Sequence, residues 1–196
     1  IANSENKHSI FFIWPLLIFI LALISMVNAL TEGSVDAWGA LYMRDFIQVD
    51  GFLIGLATVS FNIFMVSGRL SGDWLRDRIG VYNFLTILFI TSILSLYILY
   101  SFDNILASLC GFALLGIVTS SIIPIAYSLA GKAEGVDSGA AIAIISIAVY
   151  GTFMAAPATL GIIANNYGVN SIFFPILIIF LFILPIIFAS RRLFTK

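Results

Sequence analysis

Charge is scarce in this sequence. Only 10% of its 196 residues are Asp, Glu, Lys or Arg, less than half of the roughly 25% typical of soluble domains, so most of the surface cannot face water and a soluble globule is excluded. A basic excess is missing too. Nine Lys and Arg against ten Asp and Glu leave a formal charge of −1, which gives no field to hold nucleic acid. One cysteine, Cys110, excludes an intramolecular disulfide, and with one histidine, His8, it cannot build a Cys/His zinc cluster. Neither metal nor cofactor is expected. No Gly-x-x-x-x-Gly-Lys segment is present to cradle nucleotide phosphates. What abounds is apolar: 61% of the residues are hydrophobic, 18 are Phe, and the mean hydropathy is +1.12. Disordered chains lack such residues, so disorder is excluded as well and the class is integral membrane.

The placing of the charges turns hydropathy into topology, because a helix needs about 20 apolar residues to cross a hydrocarbon core of about 30 Å. The uncharged intervals are Ser9–Thr31, Gly51–Gly68, Ile79–Phe102, Asn104–Gly131 and Ser138–Ser190. Four fit one crossing each. The last has 53 residues, roughly 80 Å as a helix, and the cluster Asn165-Asn166-Tyr167-Gly168 breaks it into two. The sequence thus predicts six helices, near 9–31, 51–70, 80–101, 105–129, 139–164 and 171–190. A β-barrel is excluded because its strands alternate apolar and polar, which the run from Phe173 to Phe188 does not. Residues 1–8 are expected as a cytoplasmic segment, 9–190 as the bundle and 191–196 as a cytoplasmic tail. Eight of the nine basic residues fall on one side of that topology and only Arg44 on the other, which places both termini in the cytoplasm. Lys7, the apolar run after it and Val27-Asn28-Ala29 imitate a secretory signal, but the run is too long for one. Ile1 in place of Met is read as the sign of a missing upstream portion.

Between the second and third helices stands GRLSGDWLRDRIG, Gly68 to Gly80. Arg69, Asp73 and Asp77 are four apart and share a helix face. Read plainly, the segment is a charged loop that obeys the positive-inside rule. It also resembles the Gly-x-Leu-x-Asp-Arg-x-Gly loop signature of the major facilitator superfamily: Gly68, Leu70, Asp77, Arg78 and Gly80 match it in kind. Val81 and Tyr82 replace the basic residues that normally follow, as in the degenerate copy between helices eight and nine of those transporters. Glu32 to Trp38 with Tyr42 is similar to the end of the seventh helix in bacterial carriers related to sugar and fucose permeases. Gly111, Gly116, Pro124 and Ser128 fit the tenth helix, and Tyr150, Gly151, Pro157 and Gly161 the eleventh. The resemblance implies an all-α integral membrane fold, the carboxyl-terminal half of a twelve-helix carrier, with six helices in a three-plus-three inverted repeat. It further implies a missing amino-terminal six-helix half as partner, a small-molecule substrate and a place in the bacterial inner membrane, while proton coupling is suggested by Glu32 and Asp36, four apart on one face, where like charges favour one holding a proton.

Substrate contacts in an apolar slab must come from its rare polar groups. Thr58, Asn62, Arg69 and Asp73 form a row on the second helix. Ser120, Pro124, Tyr127 and Ser128 do so on the fourth, where Pro124 can kink the helix. Ser146 and Tyr150 lie one turn apart on the fifth, with Pro157 beyond, and Gly151 and Gly161 are expected at helix contacts. Many such groups serve only packing; Asn62 and Tyr150 are the larger ones, costly to bury unpaired and so candidates to line a cavity. Glu32 and Asp36, four apart, are the proton-pathway candidates. Counted from Trp14, Glu32 lies roughly 27 Å up its helix, near the outer edge, but the apolar run Ala37 to Met43 indicates that the helix continues past both carboxylates. Two functions fit: a gradient-driven transporter of a small polar solute, not an enzyme, or else a permease subunit of a multi-component importer or a membrane-embedded enzyme.

Overall fold

The computed structural model describes residues 16–133 and 135–194. The segment 1–8 with Lys7 and His8, the start of the first helix at residue 9, Trp14 and Lys196 lie outside them. Helix α1 runs Leu16–Leu41 and continues through a wider π-helical turn, Tyr42–Phe46. A 3-10 turn, Gly51–Gly55, leads into α2, Leu56–Ile79. Then follow α3, Val81–Ser101, α4, Ile105–Ala130, and α5, Ser138–Tyr167. The 3-10 turn Val169–Ile172 opens α6, Phe173–Ala189, and a last turn α7, Arg191–Phe194, tucks Phe194 into the core. Six of these segments are long and apolar enough to cross a membrane.

Three expected boundaries move, each for a local reason. The first helix continues past residue 31 because its hydroxyls bond within the helix: Thr31 Oγ1 donates to Val27 O at 2.8 Å and Ser34 Oγ to Thr31 O at 2.6 Å. Glu32 therefore lies mid-helix, not near its end. The supposed loop from Gly68 onward is helical as far as Ile79, and only Gly80 leaves the helix, at φ 83°. Likewise α5 passes through Asn165 and Asn166 to Tyr167. Asn166 Nδ2 donates to Ile162 O at 2.8 Å, and Gly168 alone turns the chain, at φ 92°. Helix starts carry their own caps, with Asn104 accepting from Ala107 N and Asp137 from Ala140 N, both at 2.8 Å.

Three crossings per half make the second half of the bundle run opposite to the first. The most extensive contacts are α2 with α4 and α1 with α5, and these two pairs exchange when α1, α2 and α3 are mapped onto α4, α5 and α6. The self-paired contacts α1–α4 and α3–α6 complete that inverted repeat. Gly80 and Gly168 are equivalent under it and have nearly the same backbone, φ 83° and ψ 153° against φ 92° and ψ 158°. Gly80 sits by Phe194 at one end of the bundle, whereas the turn after Gly168 sits by the π-helical end of α1 at the other.

Close approach of backbones holds the centre. A methyl added at Gly116 of α4 would strike the carbonyl oxygen of Phe61 on α2 and come within 3.0 Å of Met65 N. Added at Gly68 it would meet the Ser120 hydroxyl and stand 2.8 Å from Ile117 O. Hydrogen bonds tie the elements together as well: Ser60 Oγ of α2 to Leu109 O of α4 at 3.0 Å, Asn28 Nδ2 of α1 to Thr119 O of α4 at 3.2 Å, and Tyr42 Oη of the π-helical turn to Leu99 O of α3 at 2.8 Å. Gly116→Val should lower stability by about 1–3 kcal/mol through overpacking. Gly151→Ala, where an added methyl meets nothing within 4 Å, should leave it unchanged or slightly raised. Melting temperatures in detergent check the contrast.

Candidate functional site

At 100° per residue, α2 presents three rows. Ala57, Phe61, Met65, Gly68 and Gly72 are buried against its neighbours. About a quarter-turn away stand Thr58, Asn62, Arg69 and Asp73, the expected polar row. A further quarter-turn brings Val59, Ile63, Val66, Leu70 and Trp74, all large, apolar and exposed. The polar row lies on the side of α1, since a methyl at Gly39 of α1 would stand 3.7 Å from Thr58 Oγ1. Asn62 turns its amide onto its own helix, donating to Thr58 O at 2.9 Å, and keeps its amide oxygen free for another donor.

On α1, Glu32 is half-buried and Asp36, one turn on, is exposed. Arg69 is near enough to act on Glu32 electrostatically. The pairing expected among Arg69, Asp73 and Asp77 takes another form, because Arg76 claims both carboxylates, at 2.9 Å from Asp73 and 3.0 Å from Asp77. Arg78 lies over the ring of Trp74, 5.2 Å from its centroid. Among the described residues no carboxylate is within ion-pairing distance of Arg69. It borders a cleft of about 240 Å³ with Gly72, Asp73, Ser120, Ser121 and Pro124. Pro124 lies within α4, and its missing N–H withdraws the donor that would otherwise bond Ser120 O.

Helix α5 shows the complementary pattern. Tyr150 is 67% exposed, and Gly151 borders an open groove of about 380 Å³ with Met26, Leu30, Ala155 and Thr159. A methyl added at Gly151 would meet nothing within 4 Å among the described residues, whereas one at Gly161 would stand 3.1 Å from the Trp38 ring. Pro157 is exposed on the same helix. Tyr127 and Ser146 link α4 to α5 by a 3.0 Å bond between their hydroxyls. The residue that sequence reasoning passed over is Asn28, wholly buried where α1 meets α4, with its amide oxygen left without a partner. An amide inside an otherwise apolar run was the available signal. Among the described residues no His/Cys/Asp/Glu group could hold a metal ion.

No family model matches the chain. It is 28% identical over 148 residues to the membrane protein MosC of Rhizobium meliloti, covering 76% of this chain and 36% of that protein. An uncharacterised MFS-type transporter of Yersinia pestis is 29% identical over 148 residues, covering 76% and 38%. An uncharacterised transporter of Sinorhizobium fredii is 27% identical over 157 residues, covering 80% and 42%. The chain thus spans about two fifths of the length of these relatives. Among solved structures, a peptide transporter POT in complex with sulfate superposes with a TM-score of 0.81 at 21% identity, over 94% of this chain and 39% of that one. The POT family transporter PepTSo gives 0.77 at 16% identity, over 92% and 38%. The chain therefore carries the all-helical, six-span fold of one half of a major facilitator transporter.

Proposed function

We propose that the protein is a secondary transporter of a small polar solute, coupled to protons and working by alternating access, with this chain forming its carboxyl-terminal six-helix half. The observation that carries the reading is the polar row of α2, set beside Glu32 and Asp36 on a side of the bundle that no helix among the described residues covers. Polar groups so placed need water, a solute or another protein surface opposite them, because lipid penalises them. The share of its relatives' length that the chain spans supports an amino-terminal half as the covering surface. Two of the three relatives named above are transporters, which points away from a membrane enzyme. The sequence likeness to sugar and fucose permease-related carriers supports a polar solute as cargo, and the relatives' bacterial sources support the inner membrane.

Glu32 is the proposed proton carrier. The charged groups that bear on it are Asp36 on its own helix and Arg69 from α2, while α5 presents Phe153 and Ala156 to the neighbouring Gly33. Asp77 and Arg78, at the end of α2, are proposed to bias one access state rather than to hold the bundle together, since exposed charge pairs contribute only about 0–1 kcal/mol.

In the protein produced from its own gene, Glu32→Gln should abolish accumulation against a gradient while solute exchange persists. Uptake into proteoliposomes across a pH series checks this, and an unchanged pH dependence would remove Glu32 from the coupling. Asp77→Asn and Arg78→Ala should reduce uptake per folded molecule while stability shifts by less than about 1 kcal/mol, as read from uptake and melting on the same samples. Both termini are proposed to face the cytoplasm, so reporter fusions after Arg44 and after Lys196 should report opposite sides. Equal reports would refute that topology.

A further inference from the structure

We infer that the transported solute carries an anionic group, a carboxylate or a phosphate-type oxyanion, which Arg69 receives in the cleft between α2 and α4. The inference rests on the transporter reading and adds the chemical class of the cargo.

Arg69 stands ten residues before the end of α2 at Ile79, about 15 Å inside the segment. It is the first charged residue after the uncharged run Gly51–Gly68 and stands within the continuous helix rather than in a loop. A guanidinium at the edge of such a run seeks water or an anion, and ionisable groups on spanning helices mark the paths of ions and solutes. The chain supplies no ion-pair partner among its described residues. The two carboxylates nearest along the helix, Asp73 and Asp77, are held by Arg76, and Glu32 lies beyond ion-pairing distance across on α1. One positive charge is left without an ion pair among the described residues on the polar side of α2, with only the longer-range attraction of Glu32 opposite it.

The surroundings suit an oxyanion. Ser120 and Ser121 line the same cleft, their hydroxyls 3.2 Å apart. Ser120 Oγ donates to Ile117 O at 2.6 Å, so the Ser121 hydroxyl is the one that can rotate to donate to an anion that also accepts two parallel bonds from a guanidinium. A volume of about 240 Å³ admits a carboxylate or phosphate with a few attached heavy atoms. A lipid phosphate fits less well. The exposed apolar row of α2, with Leu70 and Trp74, which suits lipid tails, is a quarter-turn away from Arg69, and Trp74 as an interfacial residue would lie more than one helical turn nearer the headgroups.

The test uses the purified protein from its own gene, in detergent with phosphatidylcholine, and reads thermal stabilisation by glucose, glucuronate, glucosamine, lactate, glycine and inorganic phosphate. Stabilisation is expected from one or more of glucuronate, lactate, glycine and phosphate. Arg69→Gln should weaken it about 10- to 100-fold, as for the loss of a charged hydrogen-bond partner. Should Arg69→Gln fail to fold, Arg69→Lys keeps the charge but loses the paired geometry, and weaker binding of the same solute by that variant is the readout. Four results would overturn the inference: stabilisation by glucose or glucosamine alone, none by any anionic or zwitterionic probe, anion binding that ignores both Arg69 variants, or Arg69-dependent stabilisation by phosphatidylglycerol without added solute. Binding is read without a gradient, so failure here is distinct from failure of the transporter reading, which would show as binding without flux.

Discussion

Everything at the proposed site depends on how closely the backbones of α2 and α4 approach. Inside a bilayer, moving an apolar side chain from lipid to protein gains little, so helices associate through dense packing and a few interhelical hydrogen bonds. The crossing here is built on Gly68, Gly72 and Gly116, where a single added methyl would meet backbone or hydroxyl atoms of the facing helix. That contact fixes the rotation of α2 about its own axis. A helix turned by one residue, 100°, would carry Arg69 and Asn62 to where the exposed apolar row now stands and push Trp74 and Leu70 elsewhere. The glycines therefore aim the polar side chains without touching them.

Around that crossing the polar groups divide into those that serve the fold and those that remain available. Thr31, Ser34 and Thr119 spend their hydroxyls on carbonyls of their own helix, which is how an apolar helix tolerates them. Tyr42 joins three elements at once. Its hydroxyl reaches Leu99 O, and its ring meets Phe112 and Phe173 edge to face, at 5.5 and 5.4 Å. Asp36, Arg69 and Tyr150 are spent on nothing comparable. They lie on α1, α2 and α5, and α2 and α5 are the helices with the most exposed spans. A surface that keeps its polar atoms unsatisfied is prepared for a partner that supplies the missing bonds.

The number of crossings, their order and the broad fold were legible because charge interrupts an otherwise apolar sequence and a helix has a fixed rise per residue. Boundaries were less legible. Glu32 and Asp36 set the expected span to end at residue 31, but the apolar run Ala37 to Met43 already indicated that the helix continues past them, as α1 does, since carboxylates at helix spacing do not themselves end a helix. Asn165 and Asn166 likewise read as a turn and are helical, and the break waits for a residue that adopts positive φ. The row Thr58–Asn62–Arg69–Asp73 was visible from spacing alone. Its partners were not, because the choice of Arg76 over Arg69 by Asp73 and Asp77 depends on side-chain reach. The inverted repeat escaped residue-by-residue reading because it resides in backbone geometry and contacts, at Gly80 and Gly168 above all.

Those two glycines also determine how the bundle can deform. Each joins a pair of spanning helices with no intervening loop, α2 to α3 at one end and α5 to the turn before α6 at the other, and each holds nearly the same dihedral angles. A joint one residue long has no slack. Displacement of α2 must be passed to α3 at one face of the membrane, and displacement of α5 to α6 at the opposite face, while the longer connection between α4 and α5 is free to absorb strain. The bundle is in effect two stiff levers of opposite hand.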